Sequence, residues 1–359
     1  VTPASSPNRA HALDALRGLA IVAMILSGQL PFGHNALPAW MYHAQVPPSS
    51  FEFNAALPGI SWVDLVFPFF LFSMGAAFPL ALTRRMERGT SPWKLGLFIV
   101  ERGFLLTFFA LFVELIRPGI LSTHPTTAIW MKALLGFLIF FPILTRLPPS
   151  WPRSAIFGVR LAGWAGAILF CWLTKYPDGS GFSLDRSDII IIVLANVAVF
   201  GALAWILTRN NLVLRLGILG ILFAIRMSNR PTPTEGWVHD WWQWSPAPWV
   251  YQLYYLQYLC IVIPGTIAGD LIVKWLKVPD ETREAKGRSP ALHLLAAFLM
   301  AAFVLVLLIG LKSRWLLSTT LLTFALCAVG LALFARARNG TEILYRDLFQ
   351  WAVYWLVLG

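Results

Sequence analysis

The chain has 359 residues, of which 58% are hydrophobic and only 13% charged, with a mean hydropathy of +0.68. Soluble domains run near 45–50% apolar, so this composition excludes an ordinary soluble fold and implies an all-α polytopic membrane bundle. The net charge of +11 comes from Lys and Arg clustered in short segments between apolar runs, as orientation signals are, which argues against a nucleic-acid partner.

A spanning helix needs about 20 mainly apolar residues. Ten stretches meet that measure: Leu13 to Leu30, Ile60 to Leu82, Leu95 to Ile116, Thr127 to Thr145, Ala155 to Thr174, Asp188 to Thr208, Leu212 to Met227, Trp249 to Leu276, Ala291 to Leu311 and Trp315 to Ala335. An eleventh, Leu344 to Gly359, stops in mid-pattern at W-L-V-L-G. Because the chain also starts at Val1, residues 1–359 read as one transmembrane domain truncated at its carboxyl end. The run after Arg9 carries Asp14 and Arg17 and has no small-residue cleavage site, so a cleaved signal peptide is not expected.

The basic residues set the orientation. Segments on the amino-terminal side hold Arg84, Arg85, Arg88, Lys94, Arg146, Arg153, Arg209, Lys274, Lys277, Arg283, Lys286, Arg288, Arg336 and Arg338, and the opposite segments hold about half as many. The segment from Pro31 to Gly59 has none. The amino terminus is therefore expected in the cytoplasm, with His34, His43, His124 and His239 outside, in a multi-pass protein of the inner (plasma) membrane.

Cys171, Cys260 and Cys327 all fall inside apolar runs without C-x-x-C spacing, so neither a disulfide framework nor a metal site is implied. The segment from Asn229 to Trp249 is rich in Trp and Pro, which fits an interfacial aromatic belt or a sugar-stacking platform. No Walker motif, Rossmann fingerprint or internal repeat is present.

Two places concentrate polar groups that could carry chemistry. In I-S-W-V-D-L-V-F-P-F-F, Asp64 enters an apolar span, where a charge costs at least ~2.5 kcal/mol and marks a functional site by default. Pro68 cannot bond the Asp64 carbonyl four residues earlier and is expected to open the helix at the acid. About 20 residues upstream, His43 lies in a segment able to fold back, and a carboxylate beside an imidazole fixes its tautomer and stabilises the imidazolium. The bland alternative is a helix-end acid reaching the interface beside a solvated histidine. At the other end of the first helix, Asp14 and Arg17 stand three apart on one face, as a structural ion pair or an anion site.

The run L-D-A-L-R-G-L-A-I-V-A-M-I-L, the Y-H-A around His43, W-V-D-L-V-F-P-F-F-L-F-S-M-G-A and the helix start E-R-G-F-L-L resemble the heparan-alpha-glucosaminide N-acetyltransferase family of transmembrane acyltransferases. The resemblance covers about Arg9 to Ile116. It implies an enzyme moving an acetyl group from cytosolic acetyl-CoA, a co-substrate, to a hydroxyl or amine of a glycan or amino sugar outside. Carried over by motif, His43 is the catalytic histidine and Asp64 the signature acid. The phosphates of the coenzyme would favour the basic cytoplasmic face, where Asp14, Arg17, Arg84, Arg85 and Arg88 are the candidate binding residues. A polysaccharide O-acyltransferase and a secondary transporter remain as alternatives, and the oligomeric state, a homodimer included, stays open.

Overall fold

The computed structural model describes residues 10–33, 36–228, 236–279 and 291–358. His34, Arg283, Lys286 and Arg288 lie outside the described residues. Every one of the eleven apolar stretches contains helix, and the described residues include no strand.

The chain divides into two compact units, one built on Val1–Gly89 with Ile261–Gly359 and the other on Thr90–Cys260. In the first, α1 (His11–Ser27) and α2 (Trp62–Glu87) pack on each other. Leu30, just past α1, shares a buried cluster with Val63 at the start of α2, so the two helices form an antiparallel hairpin. Asp14 and Arg17 therefore lie towards the same end of the hairpin as Arg84, Arg85 and Arg88.

In the second unit α3 (Pro92–Ile116) lies along α7 (Ile189–Thr208). The short α4 (Pro118–Leu121) leads into α5 (Thr127–Leu144), which pairs with α6 (Arg153–Leu173) around a core of Phe112, Leu115, Phe140 and Phe170. Ordinary capping chemistry starts these helices: Asp188 accepts from the backbone N–H groups of Ile190 and Ile191 at 3.0 and 3.1 Å, and Ser91 precedes Pro92 at the head of α3. The guanidinium of Arg160 donates to the carbonyls of Pro142, Ile143 and Thr145, satisfying the end of α5. The buried side-chain amide of Asn196 donates to the Ile192 and Val250 carbonyls at 2.8 and 2.7 Å. After α8 (Leu212–Ser228) comes the short α9 (Trp237–Gln243) and then a 3₁₀ turn at Leu253–Tyr258.

That turn corrects one boundary, because the stretch expected as helix from Trp249 becomes α10 only at Leu259 (Leu259–Leu276). Pro264 does not interrupt α10. The neighbouring glycines serve close approach. A Cβ at Gly265 would stand 2.3 Å from the Phe72 carbonyl oxygen, one at Gly269 2.3 Å from that of Ala76, and one at Gly75 2.2 Å from that of Val262. This small-xxx-small seam lets the backbones of α2 and α10 touch, as membrane helices do where side chains would hold them apart. The first unit is completed by α11 (Ala291–Lys312), α12 (Leu316–Phe334) and α13 (Gly340–Leu358), which share a cluster of Leu292, Leu299, Phe334 and Phe349.

Eight of the described helical segments are long and apolar enough to cross a membrane. With 17 residues each, α1 and α8 reach only about 26 Å at 1.5 Å per residue, short of a hydrocarbon core of about 30 Å. The third stretch left out is α13, long enough but bearing Glu342, Arg346 and Asp347. Large apolar side chains such as Leu294, Leu295 and Phe298 of α11 point outward and exposed, a surface that water tolerates poorly and lipid covers.

Candidate active site

The connection between α1 and α2 is ordered by its own side chains. Tyr42 is 2% exposed, and its hydroxyl donates to the Pro31 carbonyl and accepts the N–H of Leu37 at 3.0 Å. Its ring meets those of Phe32 and Phe51 at centroid distances of 5.5 and 5.2 Å, and those two meet each other at 5.0 Å. Phe51 holds this place with φ of 53°, a left-handed conformation that a side chain adopts only when its surroundings compel it. Gln45 ties the far side, its amide donating to the carbonyls of Leu57 and Gly59 at 3.0 and 3.1 Å. Gly59, at φ +111°, turns the chain into α2 where an added Cβ would meet the backbone of Leu311 and Lys312 at 3.1 Å. His43 is thus the neighbour of a buried anchor.

α2 starts from a capping box. Ser61 is the capping residue and Asp64 occupies the third helical position. One oxygen of Asp64, Oδ2, accepts the Ser61 N–H at 2.7 Å, the Ser61 hydroxyl at 3.0 Å and the Ala44 N–H at 3.3 Å. The other, Oδ1, lies 2.5 Å from His43 Nδ1. The fold therefore joins two residues 21 apart in sequence into one short, charge-assisted contact.

Burial differs across this pair. The Asp64 side chain is 18% exposed and that of His43 55%, so the carboxylate is enclosed while the imidazole is open to the surface. With Nδ1–H donating to Asp64, the Nε2 lone pair is left to accept a proton, and among the described residues nothing bonds to it. An imidazole oriented by a carboxylate, with its second nitrogen accessible, can act as a general base or as a nucleophile.

The structure also gives Asp64 a simpler local explanation than a charge deep in a bilayer. It sits in the first turn, where the positive end of the helix dipole and the free N–H groups favour an anion. α2 continues through both Pro68 and Pro79, so the helix is not interrupted at the acid, although Pro68 has no N–H to offer the Asp64 carbonyl. Both roles use the same carboxylate, one oxygen for the cap and one for the histidine.

The remaining expected site residues gather elsewhere. Asp14 and Arg17 approach to 3.9 Å on a half-exposed face of α1, as a loose i,i+3 pair. Arg84, Arg85 and Arg88 are exposed at the end of α2, and at about 1.5 Å per residue Arg84 lies about 30 Å along that helix from Asp64. Arg84 lines a cavity of about 170 Å³ with Leu80, Thr83, Glu87, Val273, Leu276 and Lys277. Lys277 pairs there with Glu87 at 2.7 Å. This cavity was not anticipated from the sequence, since its walls come from α2 and α10, far apart in the chain. The supports of His43, namely Tyr42, Gln45 and Ser61, were also missed, although S-W-V-D carries a readable capping-box pattern. His124 and His239 belong to the other unit and take no part in the His43–Asp64 contact. Among the described residues no group of His, Cys, Asp and Glu is arranged to hold a metal ion.

The family described as Domain of unknown function (DUF5009) matches residues 9–272. Heparan-alpha-glucosaminide N-acetyltransferase of Mus musculus is 28% identical over 203 residues, 50% of this chain and 28% of the relative. The Homo sapiens protein of the same name is 24% identical over 198 residues, 48% of this chain and 28% of the relative. The matched stretch thus spans less than a third of either relative's length, and the relationship is distant. No solved structure matches the chain.

Proposed function

We propose that this chain, which belongs to the family described as Domain of unknown function (DUF5009), is a multi-pass membrane acetyltransferase that passes an acetyl group from cytosolic acetyl-CoA to a sugar hydroxyl or amine on the extracytoplasmic side. The observation that carries the reading is the 2.5 Å contact between His43 Nδ1 and Asp64 Oδ1, on an exposed imidazole whose Nε2 has no partner among the described residues. The amino terminus is cytoplasmic in this reading and the chain crosses the membrane about eleven times, α1, α8 and α13 included.

His43 Nε2 takes the proton of the acceptor hydroxyl or amine as the acceptor oxygen or nitrogen bonds to the thioester carbonyl carbon. Asp64 stabilises the imidazolium that results. The imidazolium then gives its proton to the departing thiolate as the carbon–sulfur bond breaks, so the products are the acetylated acceptor and the free thiol. In the alternative two-step route, Nε2 itself carries the acetyl group between donor and acceptor. Labelled acetyl-CoA without acceptor separates the two, since only an acetyl-histidine leaves label on the protein.

Arg84, Arg85, Arg88 and Arg17 supply positive charge for the phosphates of the donor, and the small cavity beside Arg84 would take part of its nucleotide end. The thioester arm would then run along α2 towards the other end of the helix. Thermal stabilisation by CoA tests this reading directly, because a ligand that binds the folded state raises its stability, by about 2.7 kcal/mol at 100 times its Kd. Stabilisation by CoA that falls in Arg84→Ala supports the proposal, and its absence at millimolar CoA contradicts it.

A further inference from the structure

The short helix α9 presents two different faces. Trp242 is 3% exposed and fixes the helix to its own unit, where α9 packs on α8 and on the 3₁₀ turn before α10. The opposite stripe, at helical spacing of three and four, holds Trp237, Asp240, Trp241 and Trp244. These four residues line an open hollow of about 530 Å³. Trp237, Trp241 and Trp244 are 78, 50 and 55% exposed. Among the described residues no group pairs with the Asp240 carboxylate, in a chain whose net charge is +11.

The position of this hollow follows from connectivity. α9 lies between apolar α8 and the span Leu253–Leu276, so it belongs at the boundary between lipid and water. Indoles at that level are at home, their rings against acyl chains and their edges among the headgroups. Asp240 sits in the first turn of α9, where a helix start favours an anion, and it lines the same hollow as the tryptophans. Three tryptophans and a carboxylate lining one hollow offer an ammonium group cation–π attraction and charge pairing together. The same carboxylate repels a phosphate that lacks a compensating amine.

We propose that the Trp237–Asp240–Trp241–Trp244 face is a binding site for the ammonium headgroup of an aminophospholipid of the phosphatidylethanolamine type. The ammonium sits against Asp240 within the indoles, and the acyl chains continue along the apolar flank. The site gives the chain a local preference for zwitterionic lipid, set against the general attraction of its many basic residues to anionic lipid.

The test uses the whole chain purified in detergent, with no acetyl donor present, so its outcome is independent of the proposed transferase activity. Thermal unfolding is followed while dihexanoyl-phosphatidylethanolamine, dihexanoyl-phosphatidylglycerol or a glucosamine tetramer is titrated in. The phosphatidylethanolamine raises the melting temperature and the phosphatidylglycerol does not. Asp240→Asn and Trp237→Ala, both at exposed positions, keep a lipid-free melting temperature within about 4 °C of the wild type. Each weakens the apparent affinity for phosphatidylethanolamine by about tenfold, or about 1.4 kcal/mol. Equal stabilisation by the two lipids, or an Asp240→Asn protein that keeps wild-type affinity, overturns the proposal. Stabilisation by the glucosamine tetramer alone, lost in Asp240→Asn, also overturns it and assigns the hollow to an amino sugar.

Discussion

Replacing Asp64 by Asn separates the two tasks of this carboxylate, because the substitution keeps one oxygen and changes the other into an amide nitrogen. The Asn oxygen can stay where Oδ2 now accepts from the Ser61 N–H, the Ser61 hydroxyl and the Ala44 N–H. The helix cap survives, less the attraction of a full charge to the helix dipole, worth about 0.3–1 kcal/mol. The amide NH₂ then replaces Oδ1 opposite His43 Nδ1, at a separation now 2.5 Å. A donor facing Nδ1 forces the imidazole into the other tautomer, with the proton on Nε2 and no lone pair left to take one from the acceptor. General base catalysis contributes about 10²–10⁴ in rate, equivalent to about 2.7–5.4 kcal/mol of barrier.

Asp64→Asn is therefore expected to lose at least about a hundredfold in acetyl transfer while its stability falls by about 1 kcal/mol or less. Asp64→Ala, which removes the cap as well, should lose a further ~1 kcal/mol of stability. The assay pairs transfer of labelled acetyl from acetyl-CoA to a glucosamine acceptor with thermal unfolding of the same preparations. An Asp64→Asn protein that keeps more than half of wild-type activity would refute the reasoning and leave Asp64 with its capping role alone. An Asp64→Asn protein destabilised as much as Asp64→Ala would refute the division between the two oxygens.

Tyr42→Phe retains the ring contacts with Phe32 and Phe51 and removes the hydroxyl that bridges Pro31 and Leu37, so it should cost about 1–3 kcal/mol and lower kcat more than it raises KM. Steady-state kinetics beside a thermal melt checks this, and unchanged kcat would show that Tyr42 does not position His43. Gly265→Ala places a methyl group 2.3 Å from the Phe72 carbonyl oxygen, closer than any Cβ is tolerated, and should destabilise the first unit by about 1–3 kcal/mol. A wild-type melting temperature for that variant would contradict backbone contact between α2 and α10.

The helices were legible because lipid imposes a simple rule: an apolar run of sufficient length must satisfy its backbone internally, and helix is the local way to do so. That rule placed α2 within a few residues and recovered helix in all eleven stretches. It set the start of α10 too early, because Y-Q-L-Y-Y-L-Q-Y is aromatic enough to extend an apolar run yet forms a loop and a 3₁₀ turn. Both members of the His43–Asp64 pair were singled out for chemical reasons, one as a possible base and one as a costly charge. Their contact depends on Tyr42, Gln45 and Phe51 closing a long connection on itself, and such tertiary bonds leave no periodic trace. The capping box was visible in S-W-V-D, and it changes what Asp64 signifies: the acid is stabilised by the helix start before it does anything for the histidine.

The central claim is that His43 carries acetyl transfer, and it is tested most directly by His43→Ala in sealed proteoliposomes. Labelled acetyl-CoA is placed on the side of Arg84 and a glucosamine acceptor on the side of His43. The wild-type chain is expected to deliver label to the acceptor. His43→Ala, inserted and folded with a wild-type melting temperature, is expected to deliver less than about one hundredth as much. Equal delivery by the two proteins would contradict the account.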